Sequence, residues 1–192
     1  SLGGKKGLGE RLMKFMRSEG KEKLSILQEF SIDDIPQELI VGEDGIKLVA
    51  IGKIHDYGEG CACPMGALAR EFIEKLKADG MQVIVDTDAG IEHFGRGVEA
   101  GSDRIVVVID PSFESVQLSE KISEMGAKIN KPVCFILNRM NEDAAELSSL
   151  VDGKKVIGSV PFDRDVFQAC LKGSQVPQLA EMKEIVDRLL AE

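Results

Sequence analysis

The run Ile105-Val106-Val107-Val108-Ile109 places five β-branched residues in a row. A strand of that composition has no polar face, so both of its faces must be covered, as in a parallel sheet packed between helices. The run lies inside a predicted strand, Arg104–Ile109, and four other segments share its character: Ile46–Ile51, Gln82–Thr87, Pro132–Leu137 and Lys155–Val160. Between and after them, apolar residues at helical spacing predict helices over Met65–Ala78, Ser115–Lys128, Glu142–Leu150, Arg164–Leu171 and Leu179–Leu190. This alternation is that of an α/β fold, a doubly wound and mainly parallel sheet with helices on both faces, whose ligands sit at the carboxyl ends of the strands.

The first 40 residues differ in pattern. Helices are predicted at Leu8–Arg17 and around Lys23–Phe30, followed by a polar turn at Asp33-Asp34-Ile35-Pro36. Residues 1–40 therefore read as a helical insertion or lid, and 41–192 as the α/β domain. With 192 residues, 43% of them hydrophobic, the chain is sized for one continuous core. A net charge of −9 argues against a nucleic-acid or anionic-membrane surface, both of which need clustered Lys and Arg. The longest apolar run is far short of the roughly 20 residues that cross a bilayer, so a cytoplasmic protein is expected.

Chemistry is expected just after each strand. Val83-Ile84-Val85-Asp86-Thr87-Asp88-Ala89-Gly90 runs an apolar strand into two carboxylates and a glycine. In a phosphate-handling site, a strand-tip carboxylate holds Mg²⁺ through water, and a following glycine lets a backbone N–H approach the γ-phosphate. Asp86 is the Mg²⁺-side candidate and Gly90 the sensor; the plain alternative is a strand end and a cap, for which turns use the same residues. Asn138-Arg139 closes another strand, and an Asn there can pair bidentately with a purine edge, or simply form a turn. The last strand ends in Gly158-Ser159-Val160-Pro161-Phe162-Asp163, where the rigid turn at Pro161 can close over a base. No G-x-x-x-x-G-K-[ST] pattern, the loop that grips phosphates, occurs in the sequence.

Gly58-Glu59-Gly60-Cys61-Ala62-Cys63-Pro64 precedes a predicted helix, with Pro64 suited to its first position. Two thiols one residue apart at a helix N-terminus suit metal ligation, and a redox dithiol or two incidental thiols are the alternatives. Such a pair cannot complete a tetrahedral site alone. A two-fold homodimer in which both chains contribute Cys61 and Cys63 supplies four sulfurs. Thiolates accept nickel, zinc or copper. Cys134, in a strand, and Cys170, in a helix, read as buried small hydrophobes. His55 is a candidate auxiliary ligand, and His93 is expected to shape the acidic turn.

Gly60-Cys61-Ala62-Cys63-Pro64, with Ala67-Leu68 and Arg70 beyond it, resembles the CooC family of carbon monoxide dehydrogenase accessory proteins. The likeness continues through Asp86-Thr87-Asp88-Ala89-Gly90-Ile91-Glu92-His93-Phe94-Gly95-Arg96-Gly97, then Asp110-Pro111-Ser112 and Asn138-Arg139. That family belongs to the deviant-Walker P-loop ATPases of the MinD, ParA and nitrogenase iron protein kind, the SIMIBI class. The resemblance implies ATP or ADP with Mg²⁺ at a dimer interface, coupled to Ni²⁺ held by paired Cys-x-Cys motifs. The client implied is carbon monoxide dehydrogenase, alone or in its complex with acetyl-CoA synthase. Cys61 and Cys63 become the metal ligands, Asp86 the Mg²⁺-side carboxylate and Asn138 an adenine contact. A family member would open with a strand, a Lys-Gly-Gly-x-Gly-Lys-Thr loop and a helix ahead of residue 1, so this chain is expected to be a fragment that hydrolyses ATP poorly or not at all.

Two other functions fit parts of the pattern. An iron–sulfur carrier like the nitrogenase iron protein also uses four thiolates across a dimer, but no further cysteine follows Asp86-Thr87-Asp88-Ala89-Gly90. A MinD- or ParA-type positioning switch predicts a basic amphipathic tail. The closing segment instead carries Glu181, Glu184, Asp187 and Glu192 against Lys183 and Arg188.

Overall fold

The structure, a computed structural model, describes residues 29–35, 37–51, 63–87, 90–141, 147 and 149–191. These fall into two compact units, 1–102 and 103–192. The predicted helix at Leu8–Arg17, and Lys23–Phe30 up to residue 28, lie outside the described residues.

In the first unit Phe30 is not helical: Phe30–Ser31 forms a short strand, β1. It pairs in parallel with β4, Leu76–Lys77, which follows the helix α1 over Cys63–Lys75. Phe30 and Ile35 are buried with Leu68, Phe72 and Leu76 packed around them, and the Phe30 and Phe72 rings stand 4.9 Å apart. Burial of an aromatic pair outweighs the helical pattern that led up to residue 30. The turn predicted near Asp33 is a single 3₁₀ turn, Ile32–Asp34. The Asp34 carboxylate accepts from the Ser31 backbone N–H at 2.8 Å and from its hydroxyl at 3.0 Å.

Two expected strands of the parallel sheet take other forms. Ile46–Leu48 (β3) pairs antiparallel with Val41–Glu43 (β2), with Val41 opposite Leu48 and Glu43 opposite Ile46. The two-residue loop between them, Asp44-Gly45, has φ of 52° and 81°, both positive as a type I′ turn requires. Local turn chemistry here fixes an antiparallel hairpin in place of a parallel strand. Residues 81–87 make no ladder among the described residues, and Ile84 is 93% exposed. β propensity makes a strand only where a neighbour completes its hydrogen bonds.

The second unit is closer to expectation. Three parallel strands, β5 (Ile105–Ile109), β6 (Val133–Met140) and β7 (Val156–Pro161), lie in the order β5-β6-β7. The helix α3, Phe113–Lys128, crosses over from β5 to β6 and packs on both strands. Ser112 caps it, its hydroxyl accepting from the Ser115 N–H at 3.2 Å. In the next crossover, residues 147, 149 and 150 of the predicted helix Glu142–Leu150 are helical, and the rest lie outside the described residues. Asp163 caps α4, Arg164–Lys172, accepting from the Val166 N–H at 2.8 Å. The last helix, α5 over Ala180–Leu190, packs on β7.

Cys134, Phe135, Ile136 and Leu137 are all buried, so β6 is covered on both faces as a central parallel strand should be. Cys134, Ile136, Ile157, Val160 and Ile185 form one core cluster beneath α5. Helix coverage of both faces stops short of β5. Val106 and Val108, in register with Cys134 and Ile136, remain exposed, while Val107 and Ile109 on the opposite face are buried. Cys134 is buried as expected, but Cys170 is exposed on α4, because the buried stripe of that short helix runs through Ala169.

Candidate functional site

Each unit carries part of the sequence-derived site. In the first, Asp86 is exposed near the end of the unpaired segment 81–87. Gly90 has φ of 113°, a conformation that only glycine adopts without strain. A side chain there would also collide with the Glu92 carboxylate. Glu92–Arg96 forms the short helix α2, followed by a 3₁₀ turn at Val98–Gly101 that packs against α1. His93 Nδ1 meets Glu99 Oε1 across these two elements, an ion pair when the imidazole is protonated. Glu99 is buried, and its Oε2 has no hydrogen-bond partner among the described residues. The sequence carries no sign of this partner for His93, because nothing local marks Glu99 as buried.

Of the cysteine pair, Cys61 lies outside the described residues and Cys63 is the first residue of α1. His55 also lies outside them. Among the described residues no group of three or more His, Cys, Asp or Glu is placed to hold a metal ion, and no helix is long and apolar enough to cross a membrane.

The second unit gathers its candidates at the carboxyl ends of its strands. Asn138 Nδ2 donates to Asp110 Oδ1 at 2.9 Å, and the Arg139 guanidinium stands 3.6 Å from Asp110 Oδ2. The register of β6 against β7 shifts between Leu137 and Met140, and Arg139 takes φ of 53°. Consecutive side chains of a regular strand point to opposite faces; this irregularity lets 138 and 139 both reach Asp110. Pro161 lies opposite Met140, whose carbonyl accepts from the Phe162 N–H at 2.9 Å. Asn138, Arg139 and Pro161 thus end adjacent strands of one sheet, the position where α/β folds bind ligands. The sequence assigns Asp110 no role of its own; its signals are its place at the end of β5, ahead of a proline and a helix cap, and its part in the Asp110-Pro111-Ser112 likeness.

An uncharacterized ATP-binding protein of Methanocaldococcus jannaschii is 49% identical over 191 residues, covering 98% of this chain and 76% of the relative. The carbon monoxide dehydrogenase accessory protein CooC of Rhodospirillum rubrum is 35% identical over 136 residues, 69% of this chain. The chain belongs to the CooC-like family of ATP-binding proteins. The match spans 52% of the length of CooC itself. Another uncharacterized ATP-binding protein of Methanocaldococcus jannaschii is 32% identical over 152 residues, 76% of this chain and 59% of the relative. No protein-family model and no solved structure matches the chain. In this CooC-like chain, the strand-end group of Asp110, Asn138 and Arg139 has the donors and acceptors needed to meet a polar ligand edge.

Proposed function

We propose that the chain is the nucleotide-switch portion of an ATP-dependent metallochaperone that assists nickel insertion into carbon monoxide dehydrogenase. The observation that carries this reading is the 35% identity to CooC, a carbon monoxide dehydrogenase accessory protein by name. The strand-end group supports the nucleotide half. Asn138 reads the adenine, Arg139 and Pro161 border it, Asp86 stands on the Mg²⁺ side and Gly90 senses the γ-phosphate. Hydrolysis by this chain alone is slow, because no G-x-x-x-x-G-K-[ST] pattern occurs in it.

Nickel is the cargo in this reading. Cys61 and Cys63 hold it as thiolates, and two chains supply four sulfurs across a homodimer axis. Native mass spectrometry of the reduced chain, with nickel or zinc added, tests the arrangement beside a Cys61→Ser/Cys63→Ser variant. One metal per pair of chains, lost in the variant, is expected. Uptake that the substitutions leave unchanged would remove the cysteines from the metal site. A brown chain carrying iron and sulfide would instead favour a cluster carrier.

A further inference from the structure

The amide of Asn138 is held on one side. A carboxylate accepts hydrogen bonds and donates none, so the contact with Asp110 Oδ1 at 2.9 Å fixes which end of the amide faces it. Nδ2 points to Asp110, and the amide oxygen points away. Among the described residues only one of the two N–H groups is used. The other, beside a carbonyl oxygen with no partner among those residues, forms a donor–acceptor edge of one fixed hand. Asp110 is itself held in place: its second carboxylate oxygen faces Arg139 at 3.6 Å, and its backbone carbonyl accepts from the Ser112 N–H at 2.7 Å at the start of α3.

A donor beside an acceptor matches the N6–N7 edge of adenine, whereas the corresponding O6–N7 edge of guanine offers two acceptors. A freely rotating Asn could turn its NH₂ toward guanine O6. Turning it here breaks the bond to Asp110 and sets the amide oxygen against a carboxylate. The left-handed φ of Arg139 marks the same spot as one where backbone strain is tolerated, as it commonly is at functional sites.

We propose that Asp110 is a positioning residue that sets adenine-over-guanine selectivity by locking the orientation of the Asn138 amide. This rests on the adenine reading of Asn138 given above. Asp110→Asn tests it, because an amide at 110 can pair with Asn138 in either orientation while keeping size and shape.

Isothermal titration calorimetry of the chain with ADP and with GDP would compare wild type, Asp110→Asn and Asn138→Ala. Wild type should prefer ADP. In Asp110→Asn that preference should fall about tenfold, within the range that one side chain–base pair discriminates. Equal weakening of ADP and GDP, or an unchanged ratio beside a weakened Asn138→Ala, would overturn the positioning role while leaving the adenine reading intact. Binding that is insensitive to Asn138→Ala, or no preference for ADP in wild type, would overturn the adenine reading and the inference with it. The side-chain amide protons of Asn138, followed by ¹H–¹⁵N NMR without nucleotide, check the lock separately. One proton shifted downfield in wild type, and moved part of the way back in Asp110→Asn with the rest of the spectrum unchanged, is the expected signature. Ordinary solvent-exposed shifts in wild type would rule the lock out.

Discussion

Single side chains in this chain are ranked by what they would leave behind. His93 is the sharpest case, because the Glu99 carboxylate that it meets is buried and has one oxygen without a partner among the described residues. His93→Ala leaves neither oxygen a partner among those residues, which should destabilise the first unit by about 1–3 kcal/mol. Urea denaturation measures this, and an unchanged midpoint would show that Glu99 finds water or another donor. Both residues of this pair sit within nine positions of Gly90, on the elements that follow it. The expectation that His93 shapes the acidic turn therefore becomes a question about Glu99. Asp110 illustrates the same point in the second unit: its partner Asn138 is 28 residues away, and only the in-register pairing of β5 with β6 brings the two together.

At the scale of elements, ends and turns are set locally. The turn at Ile32–Asp34 is tied by the Asp34 carboxylate, whose pKa is lowered chiefly by the Ser31 backbone N–H and then by the Ser31 hydroxyl. A carboxyl held below its ordinary value stabilises the fold above the unfolded-state pKa, and that stability is lost as pH falls through the depressed folded value. Asp34→Ala should therefore lower the urea midpoint at neutral pH. The gap from wild type should close as the pH is taken below the usual carboxylate range; a gap independent of pH would place the effect elsewhere. The Lys77–Glu29 pair at 2.8 Å is solvent-exposed and lowers the Glu29 pKa, yet an exposed pair of this kind contributes little. The hairpin at 41–48 has a signal in the sequence, since Asp44-Gly45 is a strong two-residue turn pair with Val41, Ile46 and Leu48 on its flanks. The apolar character of the run beginning at Ile46 points to a strand, and only the turn ahead of it makes that strand antiparallel.

For the molecule as a whole, the contrast between the covered and bare stretches of the β5-β6-β7 sheet gives the clearest expectation. Ile185 is 1% exposed and seals the cluster of Cys134, Ile136, Ile157 and Val160. Ile185→Ala should destabilise the second unit by about 2–5 kcal/mol. Val108→Thr, on the bare stretch of the same face, should change it by less than about 0.5 kcal/mol. Hydrogen exchange along β5, β6 and β7 reads both variants. A large effect of Val108→Thr would mean that this face is covered in solution.

The residues alone determined the three parallel strands and the helices α3, α4 and α5, because runs such as Ile105–Ile109 and the apolar spacing of Leu179, Met182, Ile185, Val186, Leu189 and Leu190 carry their periodicity within a few positions, although only Leu179, Ile185 and Leu189 of that set pack on the core. They also located the strand-end positions of Asn138, Arg139 and Pro161, since chain connectivity puts those at one end of the sheet. Tertiary structure decided the rest. Gln82–Thr87 has the composition of a strand and no ladder among the described residues, Ile46–Leu48 pairs with its neighbour in sequence, and Asn138 is oriented by a residue at the end of another strand. Hydrogen bonds between strands and burial of side chains are relations between distant segments, and no local run of residues specifies its own partner.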